Sequence, residues 1–198
     1  MSLWGATDSD ESKPKNLTTA EKLEVSASSK GWVREAGSRL SGNGNTSATP
    51  EVLVAIGGLA VKLGAADITE IEWITTAADK SAGFTLSARL RFNEAVDVVT
   101  TGGTPTLAVT NGNEGSGSGR GPHALAYASG TGTNELVFSL AIAAANAATN
   151  ADDVIVFGAN PLALNSGTIK DVATSTTNAT ITSASSIGTA AGGVTVTA

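Results

Sequence analysis

Between Phe84 and Phe92 the sequence alternates without a break: Phe84, Leu86, Ala88, Leu90 and Phe92 are apolar, and Thr85, Ser87, Arg89 and Arg91 between them are polar. A period of two sends successive side chains to opposite faces of a strand, so the segment predicts a half-buried strand with both arginines facing out. Ile68–Ile74 repeats the pattern. Shorter strand signals follow at 95–99, 106–109, 123–128, 135–142, 153–157 and 193–197, with a fainter one at 178–183. Clusters of Gly, Asn, Ser and Thr separate them, as expected of a sandwich or barrel. Its core must be built from small side chains, because only 4% of the chain is aromatic and 23 residues are glycine. Val, Ile, Leu, Ala and Thr suit two sheets whose inner faces interdigitate. Residues 67–198 therefore read as a β-sandwich, and the chain as mainly β.

Residues 1–66 read differently, as an extended N-terminal arm with little regular structure. Thr18 and Glu21 have capping-box spacing and predict one short helical turn. Leu3 and Trp4 sit in an otherwise polar terminus, and Trp32-Val33 follow Lys30-Gly31. Large apolar side chains without a local core are candidate anchors on a partner. Residues 49–64 support two readings. Thr49-Pro50 at the start and Gly64 at the end spell a helix over about 50–63. The β-branched run at 52–56 and the pair Gly57-Gly58 argue for a strand. The helix is the preferred reading. In either form Val52, Leu53, Val54, Ile56 and Leu59 must be buried against something, which makes them partner-binding candidates too.

The charge divides along the same boundary. Residues 1–66 carry seven Lys/Arg and seven Asp/Glu; residues 67–198 carry five and eleven, so the sandwich holds the whole net charge of −6. An acidic domain does not track phosphates, which argues against nucleic-acid binding. With 0 Cys there is neither a disulfide nor a thiolate metal site. Met1-Ser2-Leu3-Trp4 opens with neither a basic nor an apolar leader region, and no apolar run reaches membrane-span length, so synthesis and assembly in a cytoplasm are expected.

Candidate chemistry is sparse. His123 is the one histidine. No Gly-x-Ser-x-Gly elbow accompanies it, and one histidine without a cysteine makes no zinc site. Glu94 with Asp97, or Asp152 with Asp153, could pair as carboxylates, but a hydrolase needs them across a cleft. A calcium ion held by Asp152, Asp153 and Asp171 is the better use of loop acids, although no EF-hand-type loop is present. No phosphate-cradling glycine loop occurs. The expectation is a non-enzymatic protein with no resident cofactor.

Two resemblances add to this. Phe92-Asn93-Glu94-Ala95-Val96-Asp97-Val98, then Gly103-Thr104-Pro105-Thr106-Leu107-Ala108-Val109, is similar to the bacterial immunoglobulin-like repeats of large surface adhesins. Ala126–Phe138, Asp153–Val156, Leu162–Leu164 and Gly167–Asp171 continue the match over about residues 84–175. It implies an immunoglobulin-like sandwich and says nothing of activity. The module stands here as one copy, where adhesins carry it in tandem. The front segment, Leu3–Thr7, Glu11–Lys15, Lys30–Val33 and Pro50–Ile56, resembles structural proteins of tailed phages, especially those of marine cyanobacteria. Together they imply a virion protein assembled in the host cytoplasm: a head decoration (cement) protein whose arm grips the major capsid protein and neighbouring copies of itself. The alternative is an adhesion module of a tail, fibre or cell surface, binding host glycan or protein through loops 111–121 and 129–134.

Overall fold

The computed structural model describes residues 13–14, 16–34, 36, 47–57, 65–111, 122–172 and 175–198. Its first element is the helical turn α1 (Thr19–Leu23), closed by the expected capping box. The Thr18 amide donates to Glu21 Oε2 at 2.8 Å, and the Glu21 amide donates to Thr18 Oγ1 at 3.3 Å. Two of the turn's free donors are thereby satisfied, which lets so short a helix persist.

Three short strands follow. β1 (Val25–Ser28) and β2 (Gly31–Arg34) form an antiparallel hairpin with Ala27 opposite Trp32. β3 (Glu51–Ala55) lies antiparallel on the far edge of β2. Gly31 has φ +124°, and a Cβ there would sit 2.0 Å from the Val54 carbonyl oxygen, so the hairpin demands glycine. Trp32 is fully buried with Val25 and Ala27, and Leu17, Leu53, Val54 and Ile56 pack around them. This corrects two expectations. The described front residues form a small three-stranded sheet with its own core, not an arm of little regular structure. Residues 51–55 are a strand, not the start of a helix: pairing with β2 and burial against Trp32 outweigh the Thr-Pro start signal. The rest of the expected helix, 58–63, lies outside the described residues.

The remaining strands build the sandwich. β4 (Ile68–Trp73), β6 (Phe84–Val99), β9 (Thr133–Ile142) and β8 (His123–Ser129) form one sheet in that order. β7 (Thr106–Asn111), β10 (Val154–Ala163), β12 (Gly193–Thr197) and the two-residue β5 (Ala78–Asp79) form the other, with β5 parallel to β12. β8 also pairs with β7, so the two sheets are continuous there. Leu86, Ala88, Leu90 and Phe92 of β6 point into the core, as the alternation requires, with Leu107, Leu125, Leu136, Phe138, Ile155 and Val196 among those that meet them. Trp73 of β4 stacks on Phe157 of β10 with ring centroids 4.2 Å apart. The short helix α2 (Ser185–Ala190) packs between β10 and β4.

The segments expected as separate strands at 84–92 and 95–99 are one strand of 16 residues, interrupted by a register shift between Arg91 and Val96. The bulge bends β6. Its first half pairs with β4, and its second half pairs with β11 (Thr168–Asp171). The bulged residues meet the front sheet: Ala27 of β1 pairs in parallel with Glu94.

Candidate partner surface and the charged seam

Leu3, Trp4 and Leu59, three of the expected partner anchors, lie outside the described residues. Trp32 and Val33, 0% and 5% exposed, are buried inside the chain itself and are unavailable as surface anchors. The reason is the β1–β2–β3 sheet, which supplies the local core that the sequence reading lacked. Leu53, Val54 and Ile56 are half-buried against Trp32. Val52 alone of the described candidates is well exposed, at 44%, beside a shallow depression of about 230 Å³ lined by Lys30, Thr49 and Pro50. β3 ends the strand order, but its edge is blunted: Pro50 precedes it, and Leu53 is an extra residue between the Trp32↔Val54 and Val33↔Val52 pairs. A bulge and a flanking proline both discourage pairing with a further strand.

The most elaborate polar arrangement is one the sequence reading missed. Arg91, expected to face solvent, is fully buried. Its Nε donates to Glu135 Oε1 at 2.7 Å, and its Nη1 lies within ion-pair distance of Glu70, Glu72 and Glu24. Three neighbouring strands build this in register: Glu70 of β4 is opposite Arg91 of β6, which is opposite Glu135 of β9. Arg89, one step along the same face, bridges Glu72 at 3.8 Å and Glu135 at 3.5 Å. Burial works against the Arg91 charge, but the carboxylates of Glu135 and Glu70 outweigh it and hold the guanidinium above its usual range. Alternation does put Arg89 and Arg91 on the face opposite the core. That face is covered because Glu24, directly after α1, comes down on it from the front sheet, 3.6 Å from Arg91 with both side chains 0% exposed. The spacing Glu70-x-Glu72 against Arg89-x-Arg91 was the available signal, since residues two apart in paired strands share a face.

The residues weighed for chemistry do not come together. His123 opens β8, buried, with Nε2 2.7 Å from Thr149 Oγ1. Burial pushes its pKa below the ordinary histidine value, against the pull of Asp153. Thr149 has no exposed surface, so the pair offers nothing to a substrate. Asp153 is buried and accepts from the Asn150 amide at 2.8 Å, while its neighbour Asp152 is exposed with φ +66°. Asp171 is buried on β11. Among the described residues no three His, Cys, Asp or Glu side chains are grouped to hold a metal ion, so the Asp152, Asp153 and Asp171 set is not assembled. Glu94 is buried at the bulge and Asp97, three residues further along β6, is exposed, so they do not flank a cleft. Loop 112–121 lies outside the described residues. At 129–133, Gly130 (φ +112°) and Gly132 (φ +81°) make the expected hairpin turn, and Tyr127 faces Phe138 across it with ring centroids 5.9 Å apart. Compared with family models, curated proteins and solved structures, the chain matches none of them.

Proposed function

We propose that the chain is a non-enzymatic structural protein of a virion: a decoration protein of a tailed-phage head. In this reading its front part binds the major capsid protein and its acidic sandwich is displayed. One observation carries the proposal: among the described residues the buried apolar side chains form two separate clusters, one in a charge-neutral front segment and one in the segment that holds the whole net charge of −6. That division suits a grip and a displayed body. The front segment's resemblance to tailed-phage structural proteins supplies the assembly, and host-cytoplasmic assembly follows from it. Val52 and the depression beside it are the described part of the grip; Leu3, Trp4 and Leu59 complete it. The mechanism is mass action: a chain that binds only the closed lattice stabilises that lattice by its differential affinity, multiplied over many copies.

Quantitative mass spectrometry of purified particles tests this. A copy number that tracks the capsid lattice supports a head protein. Tail-fibre stoichiometry would favour host attachment through the 129–134 turn and its neighbours, and absence from particles would overturn the reading altogether.

A further inference from the structure

The two outer faces of the sandwich differ in charge. β4, β6 and β9 carry Glu70, Glu72, Arg89, Arg91 and Glu135 on the side turned away from the core. β7, β8, β10 and β12 contain no Asp, Glu, Lys or Arg at all. In these four strands alternation turns Leu107, Leu125, Ile155 and Val196 into the core and leaves small side chains outside. Ala108, Thr110, Ala124, Ala126, Gly193 and Thr195 are exposed, and Val154 and Val156 are half-buried. The register sets them side by side: Ala108 is opposite Ala124, and Val156 lies between Thr110 and Gly193. The face also has relief. A Cβ on Gly193 would lie 2.8 Å from Val154 Cγ1 and 3.1 Å from Val156 Cγ1, so the two valines lean over the glycine and form a ridge. The alanines of β7 and β8 make lower ground beside it.

We propose that this uncharged face is a self-association surface, on which the same face of a second copy packs. Charge selects the occupant. The face offers no partner to a charged ligand. The segment that builds the sandwich holds a net charge of −6, so two copies repel where their charged surfaces meet. Face to face, they touch with those charges turned away. Shape agrees: a two-fold axis lying in the interface sets the valine ridge of each copy on the alanine ground of the other, the self-complementarity that an isologous contact requires. Sheets stacked in this way are a standard packing of β structure. Area sets the strength. Four strands of about five residues make a face of roughly 19 by 17 Å. Two such faces bury less than the roughly 1,200 Å² of a standard interface, so the contact is weak and forms at high protein concentration. The inference goes beyond the virion reading and does not rest on it; it is tested in solution, and its failure leaves that reading standing.

Sedimentation equilibrium of the full-length protein over a concentration series is the test. The expected result is a reversible rise in mass from monomer toward dimer. Val156→Lys should weaken the association by more than about tenfold, because each lysine is pressed unpaired onto the partner's alanines. Thr85→Lys makes the same change in net charge at an exposed position of β6, on the other sheet, and should leave the association intact. A monomer at every concentration overturns the proposal, and so do equal effects of the two lysines. In case Val156→Lys fails to fold, the unsubstituted protein is measured against sodium chloride. Salt screens the repulsion between two acidic bodies, so the dimer should strengthen as salt rises. A dimer that weakens with salt, as one held by ion pairs does, overturns the proposal.

Discussion

Arg91 and Arg89 stand two residues apart on the same face of β6, yet the physics assigns them unlike costs. Arg91 is fully buried among carboxylates, and replacing it with Met leaves Glu24, Glu70 and Glu135 facing one another without their shared cation. The expected loss is about 3–5 kcal/mol, measured by urea unfolding. Arg89 keeps a fifth of its side chain in water. Arg89→Met should cost less than Arg91→Met, because its ion pairs at 3.5 and 3.8 Å are longer and its side chain keeps contact with water. Equal losses for the two would contradict the burial described here. His123 makes a prediction in pH. Burial lowers its folded pKa from the ordinary 6.5, so below that value the unfolded chain binds more protons than the folded one. The contribution is whole above pH 6.5 and is lost as pH falls through 6.5 toward the lower folded value. The urea midpoint should therefore drop between about pH 7.5 and pH 5.5, and His123→Gln should flatten that drop. An unchanged slope in the variant would assign the titration to other groups.

Elements were legible where their cause was local. The capping box at Thr18 and Glu21, the alternation from Phe84 to Phe92 and the glycine turn at 130–132 are all written within a few residues, and each is present as read. β3 was not legible, because its strand state depends on Trp32, the partner of Val54 and distant from it in sequence, whose burial no local pattern announces. The same non-locality hid the charged seam. Glu24, Glu70, Arg91 and Glu135 are spread over more than a hundred positions, and only the pairing of β4, β6 and β9, with the front sheet laid on top, brings them together. The front sheet rests on Gly31, whose φ of +124° and 2.0 Å approach to the Val54 carbonyl leave no room for a methyl group. Gly31→Ala should cost about 1–3 kcal/mol from backbone strain alone and should expose Trp32 to solvent. A Trp32 environment unchanged by that substitution would show that the hairpin does not depend on the glycine.

At the scale of the whole molecule, the sequence boundary near residue 66 corresponds to a boundary between cores, though not to the contrast between arm and domain that composition suggested. Among the described residues, a small cored sheet meets a larger sandwich through the buried Glu24–Arg91 pair and a strand bridge from Ala27 to Glu94. Two separate clusters of buried apolar side chains among the described residues allow the two units to open separately. Native-state hydrogen exchange on the full chain measures this directly. The account predicts that the β1, β2 and β3 amides exchange together through an opening of lower free energy than that of β6, β9 and β10, and that Glu24→Gln lowers the first without moving the second. One common opening energy for both units, shifted as a block by Glu24→Gln, would contradict it.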